Sequence, residues 1–221
     1  MLPMEELHFF DRTQPYAVSY KKLPHWAQAG VVSFITWRTA DSLPAAAVRR
    51  IAERRSVALK QFALGPASNW REHLAKLPAP DRRRLQWELF TTLDDELDHN
   101  FGECVLAQPE LSQIVVDSLL HFDGVRYVLT DAVVMPNHVH VLVAFREEDA
   151  LITQCEGWKR YTSRIIQKPL GRRGEFWQTE QFDHLVRGPE QFERFRRYIA
   201  DNPKRARLSK DMYSLYSKQL T

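Results

Sequence analysis

The chain has 221 residues, 44% of them hydrophobic and 11% aromatic, and a formal net charge of +3. That length suits one elaborated domain with a real core, and no apolar run approaches the roughly 20 residues of a membrane-spanning helix. Met1-Leu2-Pro3-Met4-Glu5-Glu6 lacks the basic-then-apolar order of a signal peptide, so a cytoplasmic protein without a membrane partner is expected.

In chain order, residues 1–28 read as irregular, with basic and aromatic residues mixed in Tyr20-Lys21-Lys22-Leu23-Pro24-His25-Trp26. Residues 31–38 are rich in β-branched and aromatic side chains and predict a strand. Asp41-Ser42-Leu43-Pro44 ends it and opens a helix over 45–64. Residues 65–104 are the least regular, broken at Gly65-Pro66 and Pro78-Ala79-Pro80 and studded with Trp70, Trp87 and Phe90. A helix over 81–97 is expected there, and the stretch from about 45 to 104 reads as a helical insertion on a core domain.

A further helix starts at Pro109-Glu110. Leu111, Val115, Leu119 and Phe122 recur at the spacing of one buried face, and Asp123-Gly124 stops it. Strands over 126–134 and 138–144 flank Met135-Pro136-Asn137 as a hairpin. A helix over 151–167 carries Trp158 and Tyr161, and a basic, glycine-bearing loop follows at 169–174. Residues 182–187 form a short strand region. A last helix over 189–202 ends at Pro203, and a basic, polar tail begins at about 204. Without the insertion the order is βαββαβ. That predicts an α+β fold, a ferredoxin-like or RRM-like antiparallel sheet with helices on one face and a C-terminal helix, in one domain spanning 1–221.

The hairpin carries the chemistry. Alternation puts His138, His140 and Leu142 on one strand face and Val139, Val141 and Val143 on the other. Two imidazoles on a stiff strand can grip one metal ion and leave its far side open, although His-x-His alone also suits packing or a surface pair. With helices over the valine face, the histidines would lie on an open face of the sheet. In the last helix, Tyr198 and Asn202 stand four apart and share a face. Cys104 and Cys155 are too few and too far apart for a zinc ribbon or a disulfide framework, and read as inert thiols. Arginine recurs in short clusters, which suit solvated helix faces or a phosphate footprint equally well.

Three ordered segments are more specific: Met135-Pro136-Asn137-His138-Val139-His140, then Phe176-Trp177-Gln178 through Asp183-His184-Leu185-Val186-Arg187, then Tyr198-Ile199-Ala200-Asp201-Asn202-Pro203-Lys204-Arg205-Ala206. Together they resemble the REP-associated tyrosine transposases, relatives of the single-tyrosine HUH transposases. The resemblance spans most of the chain except roughly 60–104 and the tail. It implies His138 and His140 as metal ligands, Asn202 as a third ligand, Tyr198 as nucleophile with Tyr161 as its rival, and Mg²⁺ or Mn²⁺ as the metal. Asp183 and Arg187 match the middle motif and read as structural or DNA-contacting.

The implied activity is nicking and strand transfer of hairpin-bearing single-stranded DNA through a 5′-phosphotyrosine link, by a monomer or a homodimer. Candidate phosphate contacts are Arg172, Arg173, Arg187, Arg194, Arg197, Lys204 and Arg205. Two other readings stay open. One is a non-catalytic hairpin-DNA-binding regulator on the same fold. The other is a metal-dependent phosphodiesterase, although the helical His-Glu-x-x-His pattern is absent.

Overall fold

The computed structural model describes residues 7–20, 24–64, 74 and 76–220. The readings at 1–6, at Lys21-Lys22-Leu23, at Gly65-Pro66 and at Trp70 lie outside the described residues. The backbone divides into two units. One joins the residues up to Ala40 to those from Glu103 onward, and the other is Asp41–Gly102.

In the first unit, β1 (Ala17–Tyr20) and β2 (Pro24–Ala27) form a small antiparallel sheet within the stretch expected to be irregular. Four-residue strands are too short to display a period. The main sheet is built from β3 (Val32–Arg38), β4 (Tyr127–Val134), β5 (His138–Phe145), β6 (Phe182–Leu185) and β7 (Ser214–Ser217). Its order is β6-β3-β5-β4-β7, and every neighbouring pair is antiparallel. Strand β7 lies in the tail that composition marked only as basic and polar. It pairs with β4, and the Lys218 amine bonds Asp123 at 2.7 Å.

Helix α3 (Pro109–Leu120) and helix α4 (Ala150–Gln167) supply the cover for the valine face. Leu111, Val115 and Leu119 from α3, and Leu151, Cys155 and Trp158 from α4, cluster with Val139, Val141 and Val143. Each buried aliphatic side chain contributes about 1.5–3 kcal/mol. Two buried rings find polar partners: Trp158 Nε1 donates to Tyr127 Oη at 3.2 Å, and Tyr127 Oη donates to the Leu119 carbonyl at 2.7 Å. Burial pushes the Tyr127 phenol pKa up.

The histidine face is not open. Helix α5 (Pro189–Arg205) lies on it, with the Phe195 ring stacked on Phe34 at 4.3 Å, and His138 and His140 are 0% exposed. The apolar stripe Phe192, Phe195 and Ile199 needs a partner, and the sheet face is that partner. The helix also runs past Pro203 to Arg205 instead of stopping at Asn202. A proline in the last turn deprives only a late carbonyl of a donor. The Asn202 and Pro203 carbonyls accept from the Ala206 and Leu208 amides, and Lys204 and Arg205 suit the negative end of the helix dipole.

The second unit packs α1 (Ala45–Gln61) and α2 (Ala79–Leu97) around Ala58, Leu59, Leu64 and Leu85. Arg50 grips Glu96 with two bonds of 2.9 and 2.6 Å. Its ends meet: a Cβ on Gly102, where φ is +87°, would lie 2.7 Å from Asp41 Oδ2 and 2.9 Å from the Asp41 carbonyl oxygen. Only glycine fits that approach. Among the described residues, no helix is long and apolar enough to cross a membrane.

Candidate metal and nucleophile site

The site grows from the β4–β5 turn. The Met135 amide donates to the His138 carbonyl at 2.8 Å, and the Asn137 carbonyl accepts from the Thr39 amide at 2.8 Å. The turn is thereby tied to the end of β3. Strand β5 then delivers His138 and His140 side by side, with ring centroids 4.8 Å apart.

Each ring is held through Nδ1. His138 Nδ1 lies 2.7 Å from Asn137 Oδ1, and His140 Nδ1 lies 2.7 Å from Thr36 Oγ1. His138 carries its proton on Nδ1, with its lone pair on Nε2, when Nδ1–H donates to the Asn137 amide oxygen. His140 takes the same tautomer when Nδ1–H donates to the threonine hydroxyl. Such outer hydrogen bonds orient metal-binding imidazoles and raise their basicity. The donor set therefore fits a divalent cation.

Helix α5 brings Tyr198 to this pair. Its ring centroid lies 5.7 Å from that of His140 and 6.0 Å from that of Phe34, meeting both near edge-on. Phe34 in turn stacks on His140 at 5.5 Å. Asn202 is fully buried one turn beyond Tyr198. The helix is locked down by Arg196, whose Nε donates to Asp131 Oδ2 at 3.0 Å, while the Ser217 hydroxyl donates to Asp131 Oδ1 at 2.6 Å. Asp131 faces the helix because the pairing of β4 with β5 shifts between Leu129 and Asp131.

The rival tyrosine is elsewhere. Tyr161 is 48% exposed on α4, a helix of the valine face. The expected phosphate contacts divide. Arg173, Arg187, Arg194, Arg197 and Lys204 are exposed, and Arg197 Nε reaches the Glu193 carbonyl at 3.4 Å. Arg172 is ion-paired with Glu103. Arg205 places its guanidinium carbon 4.9 Å over the Tyr198 ring. Asp183 bonds His25 Nδ1, and burial raises its pKa despite that partner. It therefore ties β6 to β2.

Two neighbours escaped the sequence reading. Arg38 pairs directly opposite His138 in the sheet, and opposite residues share a face. Burial lowers its pKa, offset in part by Glu175. The signal was the alternation Phe34, Thr36, Arg38, legible only once β3 is known to flank β5. His184, opposite Phe34, accepts from Gln191 Nε2 at 2.9 Å, and burial followed by the Arg187 charge lowers its pKa to about 4.

A depressed histidine pKa makes acid destabilising. Between pH 6.5 and about 4 the unfolded chain takes up a proton that the folded chain refuses, so stability should fall as pH falls through that window. The loss is up to about 3 kcal/mol. Urea melts at pH 7 and pH 4.5 should show a smaller difference for His184→Gln than for the wild-type chain.

No family model and no curated protein matches the chain. Among solved structures, a REP-associated tyrosine transposase bound to a REP hairpin is similar, at a TM-score of 0.42 and 11% identity over 86% of this chain and 77% of that one.

Proposed function

We propose that this chain nicks hairpin-bearing single-stranded DNA and rejoins strands through a covalent tyrosine link, on a ferredoxin-like core. The observation that carries the reading is the position of Tyr198, 5.7 Å from His140 within a single chain. The three ordered motifs that resemble the tyrosine transposases support it. So does the core strand order β6-β3-β5-β4, the fourth-first-third-second arrangement of a βαββαβ unit. On this reading 41–102 is an insertion, and α5 serves the sheet of its own chain.

His138, His140 and Asn202 would hold the cation. Two imidazoles favour Mn²⁺ over Mg²⁺, which prefers an oxygen shell. When bound, it supplies positive charge to the scissile phosphate. Tyr198 Oη forms a bond to phosphorus as the P–O3′ bond breaks. The phenolic proton leaves to solvent, the departing 3′ oxygen gains one, and the 5′ phosphate stays on the tyrosine. A second 3′-hydroxyl reverses the step, releasing the phenol and restoring a phosphodiester without a nucleotide cofactor. Arg38, opposite His138 in the sheet, would meet the phosphate. The exposed cations Arg173, Arg187, Arg194, Arg197 and Lys204 would contact the DNA backbone outside the site.

Hairpin-bearing single-stranded oligonucleotides incubated with Mn²⁺ should yield a protein–DNA adduct on a denaturing gel, abolished by chelator. Cleavage without an adduct would mark a phosphodiesterase, and chelator-insensitive binding without cleavage a regulator. The outer hydrogen bonds give a separate check. Thr36→Val and Asn137→Ala should weaken Mn²⁺ binding about 10- to 100-fold by calorimetry. Unchanged affinity would remove the metal from this site.

A further inference from the structure

We propose that Arg205 is a positioning residue for Tyr198, clamping the phenol ring so that its oxygen is presented to phosphorus; the inference rests on the function proposed above. Tyr198, Asn202 and Arg205 stand at i, i+4 and i+7 of α5 and so share one stripe of the helix. Helical side chains lean toward the N-terminus, which carries the Arg205 side chain back along the stripe. Its guanidinium carbon ends 4.9 Å from the centroid of the Tyr198 ring. The continuation of α5 through Pro203 is what places Arg205 on that stripe.

A clamp would act on the rotation of the tyrosine ring. Phe34 and His140 meet it at steep angles, 85° and 76°. The phenol torsion is intrinsically broad and roughly two-fold. A planar cation over the ring face restricts that rotation. It is attracted by the electron-rich ring face, and more strongly where water is excluded. In-line attack demands near-contact geometry, and a misplacement of about 1 Å costs on the order of 100-fold in rate. Arg205 is itself exposed, so phosphate contact is the competing role. The two roles have different signatures. A phosphate contact lowers affinity and reduces the salt dependence of binding. A ring clamp lowers the rate of adduct formation once DNA is saturating.

The test uses the full chain with Mn²⁺ and a hairpin-bearing single-stranded oligonucleotide. For Arg205→Ala, the adduct-forming rate at saturating DNA should fall about 10- to 100-fold. DNA affinity and its salt slope should stay within about twofold of wild type. Arg205→Lys, which keeps the charge but loses the plane, should recover only part of the rate. A readout that needs no DNA comes from 3-fluorotyrosine placed at position 198. The wild-type chain should give two ¹⁹F resonances for the two ring orientations, merging toward one averaged line in Arg205→Ala. A wild-type rate with weakened binding, or identical ¹⁹F spectra, would overturn the inference. If the wild-type chain forms no adduct, the proposed function fails and takes the clamp with it. If wild type reacts, Tyr198→Phe is dead and Arg205→Ala is unimpaired, only the clamp fails.

Discussion

Tyr198→Phe is expected to form no covalent DNA adduct and to lose cleavage by about 10⁴-fold or more. The substitution deletes one oxygen and keeps the ring, so the packing with Phe34 and His140 survives and the melting temperature should stay near that of the wild-type chain. Tyr161→Phe should retain both cleavage and adduct, because Tyr161 lies on α4, across the sheet from the histidines. Denaturing electrophoresis of labelled oligonucleotide reads both variants at once. An adduct that persists in Tyr198→Phe and vanishes in Tyr161→Phe would reverse the assignment of the nucleophile.

Phe34→Ala should cost about 3–5 kcal/mol of stability. The ring is fully buried and stacks on Phe195 and on His140, so it joins the C-terminal helix to the histidine strand. At about 2–4 °C per kcal/mol for a chain of this size, the melting temperature should drop by about 10 °C. Phe34→Leu keeps most of the volume and should cost about 1–1.5 kcal/mol. Calorimetric melts decide the matter: a change under 2 °C for the alanine variant would mean that α5 is not seated on the sheet through this ring.

Much of the core could be read from the chain because its signals are local. The β-branched run before Arg38, the turn at Met135-Pro136-Asn137 and the helical spacing of Leu111, Val115 and Leu119 each declare an element without help from elsewhere. The histidine pair was legible for the same reason. What escaped is non-local. Burial of the histidine face depends on an apolar stripe in α5 meeting a sheet assembled from four separate segments. Arg38 and His184 join the site only through the pairing of β3 with β5 and of β6 with β3. Asp131 faces α5 because of an irregular register that no alternation pattern announces. Strand β7 hides in a polar tail, since an edge strand with one exposed side needs little hydrophobicity. Pro203 misled because its missing amide costs only one bond near the helix end, and the helix continues through it to Arg205.

The close approach of Gly102 to Asp41 has an evolutionary consequence. An excursion that begins and ends at adjoining points leaves the spacing of its anchor residues unchanged whatever lies between them. Lengthening such a segment costs only about 0.6 kcal/mol per doubling. On the reading of residues 41–102 as an insertion, changes in their length should leave strand register undisturbed. The glycine at the seam should be the most constrained position of that stretch.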